Sequence, residues 1–342
     1  MSRRGFLLCT IAAVLFGISA PLAARLTDDV PGFSLAGLLY LGAAAAVLPV
    51  AGRAVPSAET LHRALGRLSV AVVLGGAIGP VLLAFGLAHA TPASSSLLLN
   101  LELVFTTIVA AIVFREHIGP RVAAGTVLVL VASVVLGWNG SADLRWGALL
   151  IAGACLCWAI DNCVTAALDE LAPAHITLAK GLVAGSANLL IGLVVDGTPP
   201  LLPAMGALLI GAFGYGISIT LWVAGARELG AARGQLVFAT APFVGAVVAW
   251  TVLRDDVASA ELVALAIAIG GVALVVHSDH GHEHVHEPVI HDHEHRHDDG
   301  HHTHTHADGF DGRHQHQHEH VEMRHSHPHV PDIHHRHEHA SA

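Results

Sequence analysis

Histidine is the most frequent metal-binding residue in this sequence, and it is concentrated at the C-terminal end. From His277 onward lie 24 of the 28 histidines, most of them at alternate positions. The alternating runs comprise His280, His282, His284, His286, His291, His293, His295, His297, His314, His316, His318, His320, His325, His327 and His329. Residues two apart in an extended chain project to the same side, so neighbouring imidazoles can hold one ion. Zinc, nickel and copper favour this ligand, and we predict that residues 278–342 bind divalent metal ions such as zinc or nickel, with no other cofactor required.

The composition of this histidine-rich tail predicts a disordered segment in the absence of metal. It has few apolar residues and carries 13 acidic residues against four arginines, nine of the ten net negative charges. The alternative is an acidic tail whose histidines serve only solubility or pH response. No basic stripe occurs anywhere in the chain, which argues against nucleic acid as a partner.

A second group of candidate residues is polar and lies within long apolar segments. Glu102 is near the centre of one of them, and Ser95 and Thr106 share its face if the segment is a continuous helix, with Asn100 beside them. A charge at the centre of a membrane helix costs about 2.5–3.5 kcal/mol, so it needs a reason. Glu102 is either a substrate-contacting or proton-coupling carboxylate or a residue that locks helices together through hydrogen bonds.

Two opposite charges flank a predicted turn in the second half of the chain. Asp161 and Lys180 lie symmetrically about the turn at 169–175, so adjacent antiparallel helices would bring them to similar depth. An ion pair is expected, either structural or with a role in substrate binding or gating. Asn162 and Asn188 are predicted to complete its hydrogen bonding.

The elements that must position these residues are apolar runs of membrane-spanning length. Of the 342 residues, 53% are hydrophobic and 13% are charged, which is unlike an ordinary soluble domain. Runs of about 20 apolar residues span a hydrocarbon core of roughly 30 Å. The predicted spans are 6–25, 33–52, 68–88, 93–114, 121–138, 146–167, 176–195, 203–226, 234–253 and 260–277. These runs lack a strand-like alternation, so the prediction is an all-α, multi-pass protein with ten transmembrane helices.

Arginines in the short loops predict which side of the membrane each loop occupies. With the N-terminus inside, the cytoplasmic loops collect Arg3, Arg4, Arg53, Arg63, Arg67, Arg115, Arg121, Arg227 and Arg233. The outer loops receive Arg25, Arg145 and Arg254. This bias predicts a protein of the cell (cytoplasmic or inner) membrane with both termini cytoplasmic. A cleavable signal peptide is the alternative for the first segment.

The sequence also contains a weak internal repeat. When residues 85–116 are laid on 224–255, Gly86 falls on Gly225, Leu97 on Leu236, Arg115 on Arg254 and Glu116 on Asp255. The predicted domains are therefore two five-helix repeats, 1–138 and 139–277, followed by the tail at 278–342. Five is odd, so the halves enter the membrane from opposite sides, as in the inverted repeats of many secondary transporters.

Three strings resemble the EamA-type carriers of the drug/metabolite transporter superfamily. They are FGISAP at 16–21, LLLNLELVFTTIVAAIVFREHIGPR at 97–121 and ATAPFVGAVVAWTVLRDD at 239–256. In that family the fourth helix of each repeat carries a proline and ends in a glutamate, and Pro242 and Glu116 fit. Leu103 and Asp255 depart from the pattern. The resemblance covers residues 5–277 and implies ten helices, inverted repeats and transport of a small metabolite driven by an ion gradient.

The favoured function is a secondary transporter, an exporter, of a small organic metabolite or drug, with a metal-binding cytoplasmic tail. The alternatives are a divalent metal (Zn, Ni or Co) transporter and a metal-responsive membrane sensor. The membrane part lacks closely spaced His, Asp and Glu ligands for a metal path. No nucleotide or nucleophile motif occurs, so an enzyme is not expected. The expected partners are a small-molecule substrate, the lipid bilayer and divalent metal ions, in a monomer or homodimer.

Overall fold

The computed structural model describes two separate units of the chain. In the first unit, Met1–Ser278, the described residues are 3–53, 55–113, 119–139, 141–166, 168, 170–229 and 237–276. In the second unit, Asp279–Ala342, the backbone is described for 280–286, 289–295, 314–320 and 323–329.

The first unit is a bundle of apolar helices. Numbered in chain order, they are α1 (Arg3–Leu26), α2 (Gly32–Ala51), α3 (Ala58–Leu87), α4 (Pro92–Leu98 and Leu101–Val113), α5 (Pro120–Asn139), α6 (Ala142–Ala166), α7 (Pro173–Val195), α8 (Leu201–Ile210, Gly211–Ile217 and Ser218–Leu229), α9 (Ala241–Thr251) and α10 (Ser259–Val276). Among the described residues, eight helices are long and apolar enough to cross a membrane, and Ala241–Thr251 and Ser259–Leu274 are shorter apolar helices. The chain is a multi-pass, all-helical membrane protein in this unit, whereas ten crossings stay a prediction.

Three helices change from α-helical to π-helical geometry in their middle. The π-helical segments are Ala71–Ile78 in α3, Lys180–Gly185 in α7 and Gly211–Ile217 in α8. A π-helical turn widens the helix and leaves backbone carbonyls without their usual partners, and such turns are frequent at functional sites. All three segments contain glycines, which also allow a neighbouring helix to approach closely.

Helix α2 lies at the centre of this packing. It contacts the π-helical segments of both α7 and α8. A Cβ atom at Gly181 or Gly211 would clash with the backbone carbonyl of Tyr40 or Leu39, respectively. Small residues therefore set the distance between these helices, as is usual in membrane bundles.

The remaining pairings are reciprocal between the two halves of the chain. Helix α1 packs on α9 while α6 packs on α4, and α5 packs on α10. In the repeat alignment α6 corresponds to α1 and α9 to α4. The first helix of each half thus packs on the fourth helix of the other half.

Two predictions about the helices need correction. The predicted spans end at residue 52 and resume at residue 68, but α3 already begins at Ala58. Its N-cap is Ser57, whose side chain accepts a hydrogen bond from the Thr60 amide at 3.1 Å. The first turns of α3 contain polar residues, so their mean hydropathy is too low to indicate a membrane span. Ala64 and Leu68 nevertheless bury one face of these turns against Leu171 and Ile176. The second correction concerns α4, which is broken at residues 99–100 rather than continuous.

The second unit contains strands where a disordered tail was predicted. The strands are β1 (His280–His286), β2 (Val289–His295), β3 (His314–His320) and β4 (Met323–His329). Strand β1 pairs antiparallel with β4, and β2 with β3. The alternation of histidine with other residues has the period of a strand, which explains why these stretches fit extended pairing.

Candidate functional site

The break in α4 places Glu102 in the first turn of a new helical segment. Residues 99 and 100 form a turn between Pro92–Leu98 and Leu101–Val113. In the second half, residues 239 and 240 form the corresponding turn just before α9, one residue away in the repeat alignment. The positive end of a helix dipole lies at such a helix start, which favours a carboxylate there.

The carboxylate of Glu102 contacts α6. Its Oε1 accepts a hydrogen bond of 2.7 Å from the Asn162 amide. Among the described residues, no ion pair involves Glu102. The partner amide is neutral, so it does not compensate the charge of an ionised Glu102.

The predicted pair of Asp161 and Lys180 is formed. Lys180 Nζ lies 2.6 Å from Asp161 Oδ2, and both side chains are largely buried. Thr165 donates a bond of 3.1 Å to Asp161 Oδ1. The prediction that Asn162 and Asn188 complete this pair is wrong, because Asn162 binds Glu102 and Asn188 donates to the carbonyl of Ala77 at 3.2 Å.

The π-helical part of α3 contributes a backbone acceptor beside this ion pair. The carbonyl of Gly75 accepts hydrogen bonds from Tyr40 Oη at 2.5 Å and from Trp158 Nε1 at 3.2 Å. A Cβ atom at Gly75 would clash with the carboxylate of Asp161. Helices α2, α3, α6 and α7 are thus joined at one polar cluster, which we call the central cluster: Tyr40, Gly75, Trp158, Asp161 and Lys180.

The other predicted site residues are not brought together by the structure. Asn100 is buried in the turn of α4 and donates to the carbonyl of Leu97, in the preceding helical segment, at 3.0 Å. Ser95 is fully buried, and among the described residues its hydroxyl has no hydrogen-bond partner. Thr106 lies in the second segment of α4, beyond the break from Ser95. The single polar face predicted for Ser95, Glu102 and Thr106 does not apply across a broken helix.

Sequence reasoning missed Tyr40, Gly75 and Trp158 as members of the cluster. Tyr40 and Tyr215 are the two tyrosines of the chain, and their rings lie 5.8 Å apart. A tyrosine in an apolar span needs a hydrogen-bond partner for its hydroxyl, so Tyr40 could have been predicted from the sequence to belong to a polar cluster. Gly75 gave no such signal, because its importance comes from a neighbour on another helix.

No three His, Cys, Asp or Glu side chains cluster as a metal site in the part of the chain whose side chains are described. The side chains of the tail are outside that part. Its backbone register pairs His280, His282 and His284 of β1 with His329, His327 and His325 of β4. It likewise pairs His291, His293 and His295 of β2 with His318, His316 and His314 of β3. Of the histidines named as ligands, His297 lies outside the described residues.

Comparison with known proteins agrees with this arrangement. The chain is 25% identical over 295 residues to an uncharacterized transporter of Methanothermobacter thermautotrophicus, with 79% of this chain and 85% of the relative covered. A solved crystal structure matches its fold with a TM-score of 0.59 at 20% identity, covering 80% of this chain and 98% of the other. The model of the EamA-like transporter family matches residues 3–138 and again 145–277. The chain is therefore a membrane transporter that belongs to the EamA-like transporter family.

Proposed function

We propose that this protein is a secondary transporter that exports a small organic metabolite or drug across the cytoplasmic membrane. Its two halves would form an inverted repeat with ten crossings and move by alternating access, driven by an ion gradient. The twofold family match, the reciprocal packing of α1 on α9 and α6 on α4, and the breaks in corresponding places support this proposal.

The observation that carries the proposal is the state of Glu102. Asp161 is neutralised by Lys180 at 2.6 Å, which makes it a structural lock between α6 and α7. Glu102 instead has a neutral amide as its partner among the described residues, and it lies next to the break near the middle of α4. An intramembrane carboxylate without a cation can exchange a proton or bind a cationic group of a substrate.

The test compares Glu102→Gln with Glu59→Gln in cells and in reconstituted vesicles. Glu59 is exposed in the first turn of α3, so it is a matched control for loss of one carboxylate. We expect Glu102→Gln to insert normally but to export at about a tenth of the parental rate or less, since a coupling carboxylate cannot be replaced by an amide. The substrate is sought by comparing metabolite and metal content of cells with and without the gene. Equal export by Glu102→Gln and the parent would reject the coupling role.

The runner-up is a divalent metal transporter, or a metal-responsive sensor, whose tail gathers the ion. The density of histidines in the tail favours it. Gene-dependent loss of zinc, nickel or cobalt from cells, with metabolite content unchanged, would place this function ahead of metabolite export.

We further propose that the tail binds zinc or nickel at pairs of facing histidines. In each strand pair, histidines occupy alternate positions opposite one another, and opposite residues of an antiparallel pair share a face. Isolated two-stranded pairs are marginally stable in water. Metal ions that bridge the two strands would supply the stability that this acidic, weakly apolar segment lacks.

A further inference from the structure

A second polar cluster lies where α1 ends, α4 begins, α9 ends and α10 begins. Glu261, a buried residue in the first turn of α10, makes the most hydrogen bonds in this cluster. Its Oε1 accepts hydrogen bonds from Thr91 at 2.9 Å and Ser94 at 2.7 Å, and its Oε2 from Trp250 Nε1 at 3.1 Å and the amide of Ala258 at 3.3 Å. One carboxylate thus joins the start of α4 to the end of α9 and the start of α10.

An ion pair extends the same cluster to α1. Arg25 in the last turn of α1 lies 2.7 Å from Asp255 and also donates to the carbonyl of Leu253 at 3.0 Å. The other oxygen of Asp255 accepts from the amide of Ala93 at 3.4 Å, near the start of α4. The Asp255 side chain is 9% exposed, so solvent screens this pair less than a fully exposed one.

The backbone between these contacts has an unusual conformation. Arg254 has φ of 58° and is the one non-glycine residue with positive φ in the described part of the chain. This left-handed turn follows α9 and lies between Leu253 and Asp255, both of which contact Arg25. Strained backbone of this kind persists where surrounding contacts fix it, and it is common in switch regions.

These contacts join the two halves of the chain at one face of the bundle. Helix α1 crosses once, so Arg25 lies at the face opposite the N-terminus, which we call the distal face. Arg25, Thr91 and Ser94 belong to residues 3–138 and Trp250, Asp255 and Glu261 to 145–277, the two family matches. In the repeat alignment, Arg115 and Glu116 correspond to Arg254 and Asp255 of the second half. Arg115 and Glu116 lie outside the described residues.

We propose that these contacts form a distal latch, which closes this face of the bundle and opens once in each transport cycle. Its members are Arg25, Thr91, Ser94, Trp250, Asp255 and Glu261. The inference rests on the proposed alternating access. In a protein with two conformations, contacts made in one of them alone set the populations of both. Removal of the latch therefore shifts the protein toward the state that is open at the distal face.

The experiment measures how fast a buried cysteine reacts with a membrane-impermeant maleimide added to the distal face. The background replaces Cys9, Cys155, Cys157 and Cys163 by alanine and introduces Ser95→Cys, because Ser95 is fully buried in α4 just beyond the latch. A parallel Asp28→Cys chain, exposed after α1, identifies vesicles whose distal face is accessible and corrects for reagent supply.

In that background, Arg25→Gln breaks the ion pair, whereas Arg25→Lys keeps a positive charge for Asp255. We expect labelling of Ser95→Cys to rise about twofold to fivefold in Arg25→Gln and to remain near the parental rate in Arg25→Lys, since an ion pair with one half-exposed member shifts a two-state equilibrium by about that factor. Glu261→Gln should raise the labelling rate of Ser95→Cys more than Arg25→Gln does, because an amide cannot accept all the hydrogen bonds that the carboxylate accepts. Labelling of Asp28→Cys should not change.

Asp143→Asn is the matched control on the distal face. His89 and Asp143 form a 2.7 Å contact there, but both side chains are substantially exposed, so its loss should leave labelling unchanged. If Arg25→Gln and Glu261→Gln label like the parent while both chains fold, the latch is refuted. The readout needs no substrate, so this failure is distinguishable from failure of the export proposal, which Glu102→Gln tests.

Discussion

At the scale of single residues, Asp161 illustrates how a buried charge is accommodated in an apolar bundle. Its two oxygens are bound by Lys180 at 2.6 Å and Thr165 at 3.1 Å. The absence of a side chain at Gly75 leaves room for the carboxylate. Removing one member of such a pair leaves an unpaired charge in a medium of low dielectric constant, which is costly.

Gly75→Ala is expected to displace Asp161 from this arrangement. The added methyl group overlaps the carboxylate, so we expect a loss of about 1–3 kcal/mol in stability, the usual cost of overpacking. Thermal unfolding of the purified protein in detergent measures the effect. Export should decline with it, because the joint between α3, α6 and α7 is disturbed.

Gly66→Ala in the same helix is the control for this substitution. An added Cβ at Gly66 meets no atom within 4 Å. Replacing glycine by alanine in a helix interior adds up to about 1 kcal/mol of stability. Equal unfolding temperatures for the two variants would contradict the assigned role of Gly75.

At the scale of elements, the interruptions of regular helix coincide with the polar clusters. The π-helical segment of α3 provides the Gly75 carbonyl to Tyr40 and Trp158, and that of α7 begins with Lys180. The turn in α4 ends two residues before Glu102. Backbone groups released by an interruption need partners in a membrane, and buried polar side chains supply them.

The strand pairs of the tail are elements whose stability should depend on metal. We expect a peptide of residues 277–342 to bind several zinc or nickel ions at neutral pH and to release them as the pH falls through about 6.5, because protonated imidazole cannot be a ligand. Titration calorimetry gives the stoichiometry and its pH dependence. A chain ending at His277 should retain basal export and lose only its response to metal.

Substitution of histidines inside and outside the strands tests the register. Gln at His280, His282 and His284 removes one histidine from each of the three β1–β4 histidine pairs, whereas Gln at His301, His302 and His304 removes the same number of imidazoles outside the described strands. The first set should weaken binding more. Equal loss would indicate that only histidine density matters, and no uptake by the parent peptide would refute metal binding altogether.

At the scale of the whole molecule, the arginine distribution predicts that the N-terminus and Ala342 are both cytoplasmic. A reporter that is active only outside the cytoplasm should be silent when fused at Ala342. The same reporter inserted after Gly197, in the exposed turn between α7 and α8, should be active. Activity at Ala342 together with silence at Gly197 would reverse the orientation. Activity at both would contradict the three crossings that are predicted between these two positions.

The sequence alone determined the class of this protein, because apolar runs of membrane-spanning length are a local property of the chain. It also indicated the repeat, the family and the ion pair of Asp161 with Lys180, whose partners flank one short turn. The first turns of α3 were not predicted from the sequence, because their polar face lowers the mean hydropathy. These turns are nevertheless capped and packed.

Tertiary structure decided the contacts between residues far apart in the chain. Arg25 meets Asp255 across 230 positions, and Thr91 meets Glu261 across 170. In the sequence each of them resembles an ordinary residue at a helix end. The same is true of Gly75, whose importance depends on an Asp161 carboxylate on another helix. Such contacts depend on the depth, rotation and interruption of packed helices, which side chains from several segments determine together and which no local pattern records.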